Sequence, residues 1–66
     1  MKPHLIASAG SCAELESLIN KYFCSNSCSI VKAEDGTMKI HNFFQNRTLD
    51  NFRVIVKRGR WRFEGI

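Results

Sequence analysis

Positive charge in the last twenty residues is the clearest chemical feature of this sequence. Residues 47–66 contain six lysines and arginines but only two carboxylates, so they hold the whole net charge of +4 of the 66-residue chain. Five of the six are arginines, whose planar guanidinium groups bind phosphates and carboxylates through paired hydrogen bonds. This composition favours a function in which the segment binds a polyanion or an acidic protein surface.

Cysteine and histidine are the other residue types that could carry chemistry. A structural zinc site needs two close pairs of ligands, and only Cys24 and Cys28 form such a pair, so we predict neither a metal site nor a cofactor. Cys28 and His41, diagonal neighbours in a predicted hairpin, are formally a nucleophile and a base, but the sequence places no group to activate the thiol. We therefore predict a binding protein rather than an enzyme. The remaining catalytic alternative is a small RNA-cleaving toxin, with His41 as the residue to test.

Length and composition predict one small globular domain over residues 1–66. Hydrophobic residues make up 44% and charged residues 24% of the chain, which is typical of folded domains. No stretch approaches the roughly 18 apolar residues of a membrane-spanning helix, and the start of the chain lacks the apolar core of a secretion signal. The odd number of cysteines, three, argues against a disulfide framework. These features predict a cytoplasmic protein without membrane association.

One amphipathic helix is predicted over residues 12–24. Ser11 and Glu14 have the spacing of a capping box, in which each side chain accepts a hydrogen bond from the backbone amide of the other. A first strand is predicted at residues 5–7, either at an edge of the sheet or between two hairpins. The helix carries apolar side chains at helical spacing on one face, namely Leu15, Leu18, Ile19 and Tyr22.

A first hairpin is predicted around Asp35-Gly36. A two-residue type I′ turn needs positive φ at both central positions, and Asp-Gly is a favoured pair there. Lys32 and Lys39 would then lie opposite each other on one face of the sheet. The cross-strand pairs that follow from this turn are Val31 with Ile40, Lys32 with Lys39, Ala33 with Met38, and Ile30 with His41.

A second hairpin is predicted around Arg58-Gly59, although arginine is disfavoured at positive φ. A two-residue turn there separates apolar from charged side chains, whereas a three-residue loop would mix the two faces. Residues 43–51 are predicted to be the loop between the hairpins, with Phe43 and Phe44 tucked under the core. The pairs that follow are Val56 with Trp61, Val54 with Phe63, Lys57 with Arg60, Ile55 with Arg62, and Arg53 with Glu64.

These elements predict an α+β fold, a two-layer sandwich with the order β-α-β-β-β-β. One amphipathic helix covers one face of a largely antiparallel sheet, and the other face is expected to be open to solvent because a single helix covers only one. We expect the open face, together with Arg58 in the second turn, to supply the residues that contact a nucleic acid or an acidic partner. These residues are Lys32, Lys39, Arg53, Lys57, Arg58, Arg60 and Arg62.

Two binding functions are compatible with such a basic face. The first is contact with nucleic-acid phosphates, which depends on salt and largely ignores base sequence. Because Phe52, Trp61 and Phe63 fall on the apolar face, we expect recognition of phosphates or duplex shape rather than stacking of bases. The alternative is a protein-interaction or inhibitor module, an accessory protein that binds an acidic protein surface or forms a homodimer through an edge strand. A face that only keeps a small sheet soluble would have the same composition.

Overall fold

The computed structural model describes residues 3–66, which form one α-helix and five β-strands. In chain order these are β1 (His4–Ala9), α1 (Cys12–Tyr22), β2 (Cys28–Lys32), β3 (Met38–Asn42), β4 (Arg47–Lys57) and β5 (Arg60–Gly65). The helix packs on a five-stranded antiparallel sheet. The predicted α+β class and the order β-α-β-β-β-β are therefore confirmed.

The two strands that α1 connects lie at opposite edges of the sheet, whose strand order is β1-β5-β4-β3-β2. The first strand is predicted either at an edge of the sheet or between the two hairpins, and β1 lies at an edge. In a flat sheet the two edges would be about 19 Å apart, four strand spacings. Yet α1 approaches β1, β5 and β2 more closely than the central strands β3 and β4. The sheet therefore curves around the helix, and we call its outer, uncovered side the open face.

The core lies between the helix and the concave side of the sheet. The aromatic rings of Tyr22, Phe23, Phe52 and Phe63 meet there, with centroids between 4.9 and 6.2 Å apart. Large rings let a short chain bury enough apolar surface to fold. Every element contributes to the buried hydrophobic residues, which are Ala9, Leu15, Ile19, Cys28, Ile40, Val54 and Phe63.

The helix begins where the sequence predicts, but only half of the predicted capping box forms. Ser11 Oγ accepts a hydrogen bond from the Glu14 amide at 3.2 Å, as predicted. The Glu14 carboxylate accepts from the amide of Gly10 at 3.4 Å, rather than from that of Ser11. The carboxylate thus still accepts a hydrogen bond from a backbone amide next to the helix N-terminus, but from the residue before the one expected.

The helix ends at Tyr22, two residues before the predicted end. The amide of Cys24 donates to the carbonyl of Lys21 at 3.3 Å, and the amide of Ser25 donates to that of Asn20 at 2.8 Å. These are the two hydrogen bonds of a Schellman motif, which needs a residue with positive φ and usually has glycine there. Cys24 occupies this position with a φ of 51°.

The first hairpin differs from the predicted register by one residue. All four predicted pairs, including Lys32 with Lys39, are therefore wrong. The loop has three residues instead of two, because φ is positive at Gly36 (89°) but not at Asp35. The Asp35 carboxylate instead accepts from the Thr37 amide at 3.0 Å, which favours a type I turn followed by a left-handed glycine. The observed pairs are Ser29 with His41, Ile30 with Ile40, Val31 with Lys39, and Lys32 with Met38.

The second hairpin has the predicted register. Arg58 and Gly59 both have positive φ, 53° and 78°, as a type I′ turn requires. The separation of apolar from charged side chains therefore outweighs the cost of arginine at positive φ. All five predicted pairs are present: Arg53 with Glu64, Val54 with Phe63, Ile55 with Arg62, Val56 with Trp61, and Lys57 with Arg60.

The strand β4 is eleven residues long and begins at Arg47, so the predicted loop over residues 43–51 is wrong. The turn before it covers only residues 43–46. The first part of β4 pairs with β3 and the last part with β5, and the β3–β4 register shifts between Leu49 and Val54. Such an irregularity bends a strand and increases its twist, which helps the sheet to curve around the helix.

Phe43 and Phe44 lie in the turn before β4, and they are 60% and 87% exposed. Their predicted position under the core is therefore wrong. Asn42 Oδ1 accepts hydrogen bonds from the amides of Phe44 and Gln45, each at 3.0 Å. These bonds close a tight turn at the end of the sheet, too short to fold the two rings back onto the core. We call Phe43 and Phe44 the aromatic turn.

Candidate functional site

The structure brings six of the seven predicted contact residues to the open face or to its end. Successive residues of a strand point to opposite faces of a sheet, and paired residues share a face. Lys32 pairs with Met38, which packs against the core, so its predicted place on the open face is wrong. Arg58 lies in the β4–β5 turn. The open face holds the other five, namely Lys39, Arg53, Lys57, Arg60 and Arg62.

Two of the open-face arginines are held by one buried carboxylate, that of Glu64, which is only 5% exposed. Arg53 Nε and Nη2 each lie 2.8 Å from Glu64 Oε1, and Arg62 Nε donates to Oε2 at 2.9 Å. The hydrogen bond from Arg62, with those from Arg53, holds the pKa of Glu64 below its ordinary value against the opposing effect of burial. Arg53 and Arg62 are thus partly neutralised within the protein.

Three further cations, Lys57, Arg58 and Arg60, lie exposed where β4 turns into β5. Within the part of the chain that the structure describes, no carboxylate forms an ion pair with any of them. We call these three residues the basic tip. Together with Ser8 and Arg62 they line a shallow concavity of about 450 Å³. The basic tip is therefore the part of the open face where cations without an ion pair lie close together and can bind an external anion.

The basic tip lies on a two-stranded ribbon that extends beyond the rest of the sheet. On one side, β3 begins opposite Val54. On the other side, β1 ends opposite Trp61. Among the described residues, the Lys57–Arg60 pair and the turn between them therefore have no third strand on either side. A ribbon of this kind can approach a partner from its turn end as well as from the open face.

The aromatic side chains of this hairpin lie on the helix side, as predicted. Phe63 is fully buried, and the Phe52 ring lies 5.3 Å from it between centroids. Trp61 pairs with Val56 and packs against the core. The open face of the ribbon thus carries cations but no ring on which a base could stack.

A second exposed group, at the other end of β4, was not predicted from the sequence. The aromatic turn adjoins His41, which lies on the open face with its ring 4.5 Å from that of Phe43. His41 Nδ1 is 3.0 Å from Thr48 Oγ1. The residue that could have revealed this group is Asn42, because asparagine side chains favour tight turns by accepting from the amides that follow.

The structure does not assemble the cysteines and histidines into one site. Cys28 is buried and pairs with Asn42, whereas His41 pairs with Ser29. Cys28 and His41 therefore remain diagonal neighbours in the hairpin but point to opposite faces, so they cannot act together. All three thiols are free. Within residues 3–66, no three cysteine, histidine, aspartate or glutamate side chains are grouped as they would be to hold a metal ion.

No helix in the described part of the chain is both long and apolar enough to cross a membrane. Comparisons with protein-family models, with curated proteins and with solved structures found no match for this chain. What the protein binds must therefore be inferred from its own side chains.

Proposed function

We propose that this protein is a small cytoplasmic binding module that contacts nucleic-acid phosphates through the basic tip. The observation that carries the proposal is the exposure of Lys57, Arg58 and Arg60 together, without a carboxylate partner in the described residues. Cations that are not paired within a protein can neutralise phosphates and release their counterions, which drives binding. The three free thiols support a reducing compartment, and the basic tip supports binding rather than catalysis as the function.

The number of available cations sets the expected salt dependence. Arg53 and Arg62 already share the carboxylate of Glu64. We therefore expect the protein to neutralise about three phosphates with the basic tip, or about four if Lys39 also contacts the ligand. On duplex nucleic acid this corresponds to a log–log slope of affinity against salt of about −2.7 to −3.6. A steeper slope would mean that the salt bridges of Glu64 open on binding.

Fluorescence anisotropy with a short labelled duplex tests this proposal. The triple variant Lys57→Gln, Arg58→Gln, Arg60→Gln should abolish binding at about 50 mM salt, where nonspecific contacts are strong. The matched control is Lys21→Gln, Lys32→Gln, Arg47→Gln, which removes the same charge at three exposed positions away from the basic tip. The control should retain most of the binding. No binding by the unmodified protein at this salt concentration, or equal losses in both triple variants, would overturn the proposal.

The aromatic turn favours a second candidate function, that of a protein-interaction or inhibitor module. Phe44 is 87% exposed and Phe43 60% exposed, and aromatic residues are enriched at protein interfaces. In this case the basic tip would contact an acidic protein surface instead of phosphates. The ratio of absorbance at 260 and 280 nm of the freshly purified protein separates the two candidates. Nucleic acid that co-purifies with the protein, and is lost in the triple variant of the basic tip, supports the first.

A further inference from the structure

We propose that the nucleic acid is duplex DNA and that the β4–β5 ribbon binds in its major groove with the turn leading. This inference rests on the proposed function and names the ligand of the basic tip. It depends on the shape of the ribbon, on the positions of its cations and on the side of the hairpin that carries its aromatic rings.

The shape of the ribbon matches the groove. The Lys57–Arg60 pair and the two-residue turn that joins it form the end of a hairpin that has no third strand on either side among the described residues. Two paired strands lie about 4.8 Å apart, and the major groove of B-DNA, about 12 Å wide, admits a two-stranded ribbon. The same ribbon cannot reach the base edges of duplex RNA, because the major groove of A-form RNA is deep and narrow.

The cations of the basic tip lie on one face of the hairpin and at its apex. Lys57 on β4 and Arg60 on β5 are directly opposite each other and both lie on the open face, so together they can contact neighbouring phosphates on one wall of the groove. Arg58 is at the apex of the turn, with a φ of 53°. When the turn enters first, Arg58 is the cation nearest the floor of the groove. A guanidinium group there can bind O6 and N7 of guanine with two hydrogen bonds.

The position of the aromatic rings argues against a single strand as the preferred ligand. Proteins that bind single strands stack the bases on exposed aromatic side chains. In this hairpin Phe52 and Phe63 pack into the core and Trp61 lies on the helix side with them. The aromatic turn is at the far end of β4, away from the basic tip. The basic tip therefore offers charge and shape but no stacking surface.

Competition experiments with three ligands of the same base sequence test the inference. We expect duplex DNA to bind about tenfold or more tightly than single-stranded DNA or duplex RNA, a ratio within the range that one good base-edge contact supplies. Netropsin, which occupies the minor groove, should leave binding to duplex DNA unchanged. Methyl green, which occupies the major groove, should displace the protein.

The variant Arg58→Lys tests the role of the apex separately from its charge. Lysine keeps the positive charge but cannot form the planar pair of hydrogen bonds. We expect this variant to keep the salt slope of the unmodified protein and to lose part of its preference for guanine-containing duplexes, because an ammonium group contacts O6 and N7 without the rigid planar fork. Arg60→Lys is the matched control and should retain that preference. Circular dichroism spectra of both variants should match that of the unmodified protein.

The outcomes distinguish failure of this inference from failure of the proposed function. Equal or tighter binding to single-stranded DNA or to duplex RNA would overturn the inference and leave phosphate binding by the basic tip intact. Displacement by netropsin but not by methyl green would have the same consequence. Absence of binding to all three ligands at about 50 mM salt would overturn both.

Discussion

Glu64 determines how much of the positive charge of the open face is available to a partner. Its carboxylate is 5% exposed and its two oxygens accept hydrogen bonds from Arg53 and Arg62. A buried carboxylate is stable only when its oxygens are paired. The two arginines therefore stabilise the fold through Glu64, whereas the basic tip has no such role.

The protonation of Glu64 should make stability fall in acid. Because the pKa of Glu64 in the folded protein lies below its ordinary value of 4.5, its ionisation stabilises the fold at neutral pH. This contribution is lost as the pH falls from about 5 through the lowered pKa. Glu64→Gln should lower the free energy of unfolding at pH 7 by about 1–3 kcal/mol, since it weakens charge-assisted hydrogen bonds. Urea unfolding across this pH range measures both effects.

The matched control for Glu64 is Glu34→Gln, at an exposed position in the β2–β3 turn. It should change the free energy of unfolding by no more than about 0.5 kcal/mol. Below about pH 5, Glu64→Gln should lose less stability than the unmodified protein, because the carboxylate that titrates is gone. Parallel losses in the two proteins would show that Glu64 does not carry the acid sensitivity.

Cys24 is a second residue whose backbone predicts a measurable effect. Its φ of 51° places a side chain in the left-handed region, which costs roughly 1–2 kcal/mol for residues other than glycine. Cys24→Gly should raise the free energy of unfolding by about 0.5–1 kcal/mol, because the gain in the folded state exceeds the added freedom of the unfolded chain. Thermal unfolding of Cys24→Gly and Cys24→Ala measures this. Equal melting temperatures for the two variants would contradict it, since alanine keeps the strain.

At the scale of elements, the side chain of Asn20 joins the helix to the edge of the sheet. Asn20 Nδ2 donates to the carbonyl of Cys28 at 3.0 Å, and Asn20 Oδ1 accepts from the Cys28 amide at 2.9 Å. Nδ2 also donates to the carbonyl of Glu16. The carboxamide thus pairs with β2 as a neighbouring strand would, and it satisfies part of an otherwise open sheet edge.

Removing this contact should destabilise the protein and free the β2 edge. Asn20→Ala should lower the free energy of unfolding by about 1–3 kcal/mol, because it leaves a partly buried backbone amide and carbonyl without partners. Hydrogen exchange of the Cys28 amide should become faster in the same variant. Ser17→Ala, at an exposed position of the helix, is the control and should change neither quantity. Unchanged protection of the Cys28 amide in Asn20→Ala would contradict this role.

The two hairpins show which parts of the fold the sequence could predict. In β5 the apolar residues Trp61 and Phe63 alternate strictly with charged residues, so only one register of the second hairpin pairs them with the apolar residues of the core face. In β2, Ile30 and Val31 are adjacent, and a shift of one residue still leaves an apolar face. Burial of apolar side chains therefore does not distinguish the two registers, and the backbone conformation at Asp35 determines which one forms. An Asp-Gly pair is compatible with two turns. Asp35 can take positive φ in a type I′ turn, or its carboxylate can accept a hydrogen bond from the Thr37 amide, and the sequence does not distinguish these two conformations.

The sequence predicts where the candidate site lies, but it does not predict how many of its cations are already paired with a carboxylate of the protein. The pairing of Arg53 with Glu64 follows from the register of the hairpin. The contact of Arg62 with Glu64 does not, although residues two apart on a strand share a face. That contact depends on how deeply Glu64 is buried, which results from the curvature of the whole sheet. Curvature arises from contacts between the helix and strands distant in the chain, and local patterns do not contain it.

At the scale of the whole molecule, two exposed groups lie at opposite ends of the long strand β4. The basic tip follows its last residue, and the aromatic turn precedes its first residue. The longest dimension of the chain is 31 Å, so two separate partners, or two parts of one large partner, can contact both ends. Phe43 and Phe44 are exposed to solvent, so their rings add little to the stability of the core.

The role of the aromatic turn can be separated from folding by comparing two identical substitutions. Phe44→Ala should change the free energy of unfolding by no more than about 0.5 kcal/mol, because this ring is 87% exposed. Phe23→Ala should lower it by about 2–3 kcal/mol, since its ring packs 4.9 Å from that of Tyr22 and 5.1 Å from that of Phe52 and is only partly buried. Urea unfolding of the two variants measures the difference. A large loss of stability in Phe44→Ala would show that the turn contributes to the fold, and its exposure would then need no partner to explain it.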